Sequence, residues 1–127
     1  MSTTIRWLDS ARTAVLVQHI GDYTVEDILA RMEDLNAMLD TADHEVAVVQ
    51  DHRKVGKLRG NMLGHLGDLA RTRHPLIMQS VIVAPSAVSR LIGAIYSRLF
   101  YPILFFDTFE EALAYLQIDT NLDDLVA

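Results

Sequence analysis

Short β-rich apolar runs alternate with amphipathic helical segments along this chain. The pattern predicts an α/β domain: a mixed, mostly parallel sheet of about five strands, with an N-terminal hairpin and four helices, in the order β-β-α-β-α-β-α-β-α. Three observations carry the prediction. Apolar runs recur at 45–51, 76–84 and 103–107. Stripes at helical spacing lie between them. Two runs with no helix between them, 5–9 and 14–20, stand at the start, separated only by "SART". A short link of that kind makes an antiparallel hairpin, whereas strands joined through a helix pair in parallel by right-handed crossovers.

"IRWLD" and "AVLVQHI" form the expected hairpin, and "GDYT" punctuates its end. Thr24 with Asp27 three residues on is a capping-box start. Val25, Ile28, Leu29, Met32, Leu35 and Leu39 then fall on one face, which predicts a helix over 25–40. "EVAVVQD" (45–51) reads as a buried strand, and 56–73 as helical from about Met62, weakened by glycines. "LIMQSVIVA" (76–84) is the most apolar run and is expected at the centre of the sheet. Pro85 and Ser86 break it and open a helix whose stripe is Val88, Leu91, Ile92, Ile95 and Leu99. Pro102 stops that helix before the strand "ILFFD". Thr108 and Glu111 repeat the cap, with Ala112, Leu113 and Leu116 facing inward from a last helix; the acidic tail 117–127 is expected to fray.

With 127 residues the chain is expected to form a single domain, 1–127, able to bury a core without metals or disulfides. Half of its residues are hydrophobic and 22% are charged, which excludes a disordered or fibrous class. The absence of cysteine removes disulfides, thiolate catalysis and zinc–thiolate clusters, and fits a reducing compartment. "MSTTIRW" lacks the pattern of a secretory signal. The longest uncharged run, 74–89, holds Pro75 and Pro85 and is shorter than the ~18–20 residues of a membrane span. A soluble, cytoplasmic protein without a transmembrane segment is expected.

Net charge is −6, which argues against nucleic acid as a partner. The charge is uneven, however. Positions 52–74 hold Arg53, Lys54, Lys57, Arg59, Arg71 and Arg73 against the single acid Asp68, a local balance of +5 that leaves −11 on the rest.

The chain's length and order, its ending "ILFFDTFEEALAYL" and its join "VIVAPSAVSRLIGAIYS" resemble the STAS-like domains related to anti-sigma-factor antagonists. The likeness is to the small stand-alone bacterial branch often called SpoIIAA-like. The resemblance implies a regulator acting through protein contacts, with a switch serine or threonine at the turn after the third strand. Here the sequence departs: residues 50–71 contain neither. The phosphorylation switch is therefore not carried over.

Five groups of residues remain as candidates for chemistry. Gly56, Gly60, Gly64 and Gly67 lie within the basic segment, where backbone N–H groups and Arg53, Lys54, Lys57 and Arg59, with His52, would suit a phosphate, nucleotide or acidic lipid head. The spacing is neither a Walker loop nor a dinucleotide fingerprint, and a solvated basic face explains it as well. Asp51 and His52 stand where open α/β sheets place ligands, but without a nucleophile they make a weak catalytic pair. His19, His44, His52, His65 and His74 show no metal-ligand spacing. Ser86 lacks the glycines of a nucleophile elbow and is explained as a helix cap.

The fifth group is aromatic. Tyr96, Phe100 and Tyr101, with Arg98, lie off the stripe assigned to the helix interior and are expected to form a contact surface. The favoured function is a non-enzymatic regulatory or protein-interaction module, self-associating as a homodimer. Next comes a module binding a small anionic ligand on 53–59, and last an enzyme built on Asp51 and His52. No catalytic residue, metal site or cofactor is assigned.

Overall fold

A computed structural model describes residues 2–118. Five strands form one sheet: β1 (Ser2–Trp7), β2 (Ala14–Thr24), β3 (Val46–Arg59), β4 (Ile77–Val83) and β5 (Ile103–Phe106). Four helices join them: α1 (Val25–Leu39), α2 (Leu66–Arg71), α3 (Ala87–Leu99) and α4 (Phe109–Leu116), with a 3-10 turn at Leu63–His65 leading into α2. The strand order is β1-β2-β3-β4-β5. Only β1 runs antiparallel to its neighbour; the other pairs are parallel. The predicted class, element order and mixed sheet are the ones observed.

Strand alternation gives the sheet two apolar faces. On the first, Val15, Val17, Val46 and Val48 pack against Leu35 and Leu39 of α1. On the second, Ala14, Leu16, Ala47, Val49, Val81 and Val83 pack against Phe109, Ala112 and Leu113 of α4. A third cluster around Tyr23, Val25, Met62 and Leu66 joins α1, α2 and α3 at the far end of the first face.

The local stop and start signals act where the sequence places them. Thr24 and Asp27 complete a reciprocal capping box at α1. Ser86 caps α3 by accepting from the Ser89 N–H. Thr108 caps α4 by accepting from the Glu111 N–H, 3.2 Å away. The tail expected to fray lies, from residue 119 on, outside the described residues.

Three expectations are corrected. The first concerns β2 and β3: β2 runs through "GDYT" to Thr24, and β3 continues well past Asp51 to Arg59. They stay paired to Thr24↔Arg59, with register shifts between Gln18 and Ile20 and between Gly21 and Tyr23. Much of the glycine-rich basic segment is therefore strand. Two features hold this extension. The Asp22 carboxylate accepts the Lys57 N–H at 2.8 Å. Gly56 lies so close that an added Cβ would fall 2.1 Å from that carboxylate and 2.9 Å from the Asp22 backbone nitrogen.

The second correction concerns 76–84. The middle strand is β3, and β4 lies between it and the edge strand β5. The third is the orientation of α3. Its buried residues are Ser89 and Gly93, while Val88, Leu91 and Leu99 are exposed. The helix lies so close to β5 that a Cβ on Gly93 would sit 2.7 Å from the Phe105 ring. Small side chains must face the sheet for that approach, so Val88, Leu91 and Leu99 turn outward, while Ile92 and Ile95 of the expected stripe do pack inward.

Candidate functional site

The first face of the sheet, under α1, α2 and α3, carries a half-open cavity of about 150 Å³. Met32 and Leu35 of α1, Leu66 of α2, Ile92 of α3 and Val48 and Ile82 of the sheet are among its walls. The space has a simple origin. α2 is only six residues long, and at the His52 end α3 presents the small side chain of Ser89.

One polar part of the lining lies where β3 passes the end of β4; Asn36, Thr72 and Arg73 form another. Pairing with β4 ends at Asp51↔Val83, so His52 is the first β3 residue beyond it. His52 Nδ1 is 3.0 Å from Ser89 Oγ, and Ser86 Oγ is 3.0 Å from the same oxygen. The His19 ring meets the His52 ring edge-on, with centroids 5.4 Å apart. His19 in turn reaches Gln50 Oε1 at 3.2 Å through Nε2 and Thr3 Oγ1 at 3.4 Å through Nδ1.

Burial lowers the His52 pKa, and the neighbouring His19 lowers it further, to about 4 against the Asp51 charge. Burial likewise lowers that of His19, against its hydrogen bond with Gln50 and the Asp51 charge. Both rings are therefore neutral near pH 7.

Asp51 and His52, adjacent in sequence, point to opposite faces. Asp51 lies on the α4 side, where it accepts from Arg53 Nε at 3.0 Å, Arg53 Nη2 at 2.9 Å and Gln18 Nε2 at 3.1 Å. The Arg53 guanidinium also stacks 4.7 Å over the Phe109 ring. Burial works to raise the Asp51 carboxyl, but the hydrogen bonds from Arg53 and Gln18, together with the Arg53 charge, outweigh it and hold the pKa below its ordinary value. The strand pleat thus separates this carboxylate from the imidazole it would have to orient in an Asp–His catalytic pair.

The basic residues of 53–59 are not gathered around one point. Arg53 is engaged by Asp51, and Arg59 approaches Asp22 at 3.6 Å. An anion-binding reading of this segment rests mainly on Lys54 and Lys57, both exposed. At the turn beyond β3, where the resemblance implies a hydroxyl switch, stands Asn61, whose Oδ1 accepts the Gly64 N–H at 3.1 Å. His44 and His65 sit beside Asp43 and Asp68, and His74 beside Asp40, all away from the cavity's polar end. Among the described residues, no cluster of three or more His, Cys, Asp or Glu side chains is placed to hold a metal ion.

The aromatic group expected as a contact surface is divided. Tyr96 turns inward against the third apolar cluster and lines the cavity. Phe100 and Tyr101 are exposed, and Arg73 stacks 4.3 Å over the Tyr101 ring. Arg98 is exposed beside them. Sequence reasoning does not identify Ser89 as a partner of His52. The only signal is its place three residues after the cap at Ser86.

A five-stranded mixed sheet with these helices defines the SpoIIAA-like, STAS-like α/β fold. Solved structures share it, two of which show the likeness. One is an uncharacterised protein of the DUF3478 family with a SpoIIAA-like fold from Shewanella loihica PV-4, at a TM-score of 0.65 and 14% identity over 91% of this chain and 92% of that one. The other is the anti-sigma factor antagonist SpoIIAA in its unphosphorylated form, at a TM-score of 0.65 and 13% identity over 94% of this chain and all of that one. No protein-family profile matches the chain, and no curated protein sequence matches it. Among the described residues, no helix is long and apolar enough to cross a membrane.

Proposed function

We infer that this protein is a non-enzymatic regulatory module that works through protein contacts and associates with a second copy of itself through α3. The observation that carries this reading is the outward flank of that helix. Val88 is 51% exposed, Leu91 61% and Leu99 66%. With Phe100 and Tyr101 beside them, they form an apolar face of a kind that water-facing helices seldom leave open. The residues recur at i, i+3 and i+11, so one side of α3 carries them all. Arg98 borders this face, as polar rims border buried interface cores. A two-fold pairing of α3 with its copy would bury the same patch from both sides.

The similarity to the anti-sigma factor antagonist SpoIIAA supports a regulatory reading over a catalytic one. So does the separation of Asp51 from His52 across the sheet, which leaves Ser89 and His52 without a carboxylate to complete a nucleophile–base–orienter set. Light scattering across a concentration series tests the reading. The mass should rise from monomer to dimer, and Leu91→Glu with Leu99→Glu should hold it at monomer while circular dichroism stays unchanged. A wild-type protein that remains monomeric at high micromolar concentration would refute self-association.

A further inference from the structure

The cavity under α1, α2 and α3 is not required by the contact surface on the outside of α3, and its chemistry is specific. About 150 Å³ is the size at which an apolar protein cavity admits a molecule such as benzene. Its walls are mainly aliphatic side chains, including Met32, Leu35, Leu66 and Ile92. At one end stands His52, which is half-buried. The Ser86–Ser89 pair occupies its Nδ1. Its Nε2 has no hydrogen-bond partner among the described residues. That nitrogen is not sealed from solvent, since Arg31 Nε is the one buried side-chain nitrogen or oxygen without a hydrogen-bond partner among the described residues, so a molecule in the cavity can reach it and supply the bond.

The charge at this end also limits the choice. Ser86, Ser89, Gln50 and the imidazoles of His19 and His52 present no net charge near pH 7. A charged head group would lose its hydration there with no counter-ion beside it; Arg73, which also lines the cavity, is stacked over Tyr101. A hydroxyl suits the site best, because it both donates and accepts and so bonds Nε2 in either tautomer of the ring.

We propose that the cavity binds a small uncharged molecule with an apolar body of about six carbons and one hydroxyl group, the body packed between α1 and α3 and the hydroxyl bonded to His52 Nε2. This is a binding site separate from the α3 surface, and it does not rest on self-association.

The test is a titration of the full chain at pH 7 with cyclohexanol, toluene and hexanoate, followed through the methyl resonances of Leu35, Leu66, Ile82 and Ile92 by NMR. Cyclohexanol should saturate and bind about tenfold more tightly than toluene, the worth of one hydrogen bond, and more tightly than hexanoate. In His52→Phe the advantage of cyclohexanol over toluene should vanish while toluene still binds, which also reports an intact cavity. The ranking of the three probes on the wild-type chain is a test in its own right if that variant does not fold. Three results would overturn the proposal: no saturable shift with any probe, tightest binding by hexanoate, which would assign the polar end to Arg73, or an unchanged preference in His52→Phe.

Discussion

His52 Nδ1 lies 3.0 Å from Ser89 Oγ, a contact between residues 37 positions apart that ties β3, just beyond its pairing with β4, to the first turn of α3. The bond does two things. It fixes the imidazole against the helix, and it closes the polar end of the cavity with groups that are neutral when the protein is folded. Ser89 takes part while its backbone N–H is held by the Ser86 cap at 3.1 Å, so the helix start and the imidazole are positioned together.

Stability should fall on mild acidification for this reason. The His52 pKa drops from 6.5 to about 4 on folding, through burial and the adjacent His19. Above the unfolded value, neither state binds the proton. Between the two values only the unfolded chain does, so lowering pH through this window favours unfolding, by up to about 3 kcal/mol for His52 alone. His19 is shifted in the same direction. Urea unfolding at pH 7 and pH 4.5 should show the loss, and His52→Leu should flatten the difference between the two. An unchanged slope in the variant would place the acid sensitivity elsewhere.

Gly56→Ala should weaken the extension of β2 and β3. The new methyl would lie 2.1 Å from Asp22 Oδ1 and 2.9 Å from the Asp22 backbone nitrogen. The carboxylate can rotate away, but then it releases the Lys57 N–H it accepts at 2.8 Å, and the backbone nitrogen cannot move without shifting β2. A loss of about 1–3 kcal/mol is expected, as for other overpacked sites. Amide exchange at Lys57 should accelerate with it. Gly21→Ala is the contrasting case, with nothing within 4 Å of the added Cβ but a φ of +90°, so only backbone strain acts.

Thr24→Ala should cost about 1 kcal/mol, the usual worth of an N-cap. Thr24 Oγ1 accepts the Asp27 N–H at 3.1 Å, and the Asp27 carboxylate accepts the Thr24 N–H at 2.9 Å. Removing the hydroxyl leaves one half of the box in place. Asp27→Ala should therefore add a loss smaller than its own when made in the Thr24→Ala background, as coupled neighbours do. Additive chemical-denaturation values would show the two halves to be independent.

The features legible in the amino acids are local ones. Thr24 with Asp27, Thr108 with Glu111 and Ser86 each cap a helix through residues three positions away, so their meaning travels with the sequence. The parallel order of β3, β4 and β5 follows from helices standing between them. The features that escape a sequence reading depend on partners far along the chain. Nothing near Gly56 announces that Asp22 sits against it, so the apolar pattern ends the strand too early. On α3 the apolar residues suggest the buried side, but the approach to Phe105 needs Gly93 and Ser89 there. That same rotation turns Tyr96 inward and opens the cavity, which only the packing of three helices reveals.

Arg53 is placed for a structural role that mutagenesis can separate from anion binding. Its guanidinium grips both Asp51 oxygens, at 3.0 and 2.9 Å, and lies over the Phe109 ring. Asp51 is 5% exposed, so removing its partner leaves a carboxylate with little water to replace the lost bonds. Arg53→Met keeps an apolar stem over Phe109 but removes the charge, and should lower stability by about 1–3 kcal/mol. Asp51→Asn alone should also destabilise, and the double variant should lose less than the two single losses together, because the buried charge is then gone. Urea midpoints for the four proteins measure the coupling. Zero coupling, with phosphate stabilising wild type but not Arg53→Met, would instead assign Arg53 to an anion site.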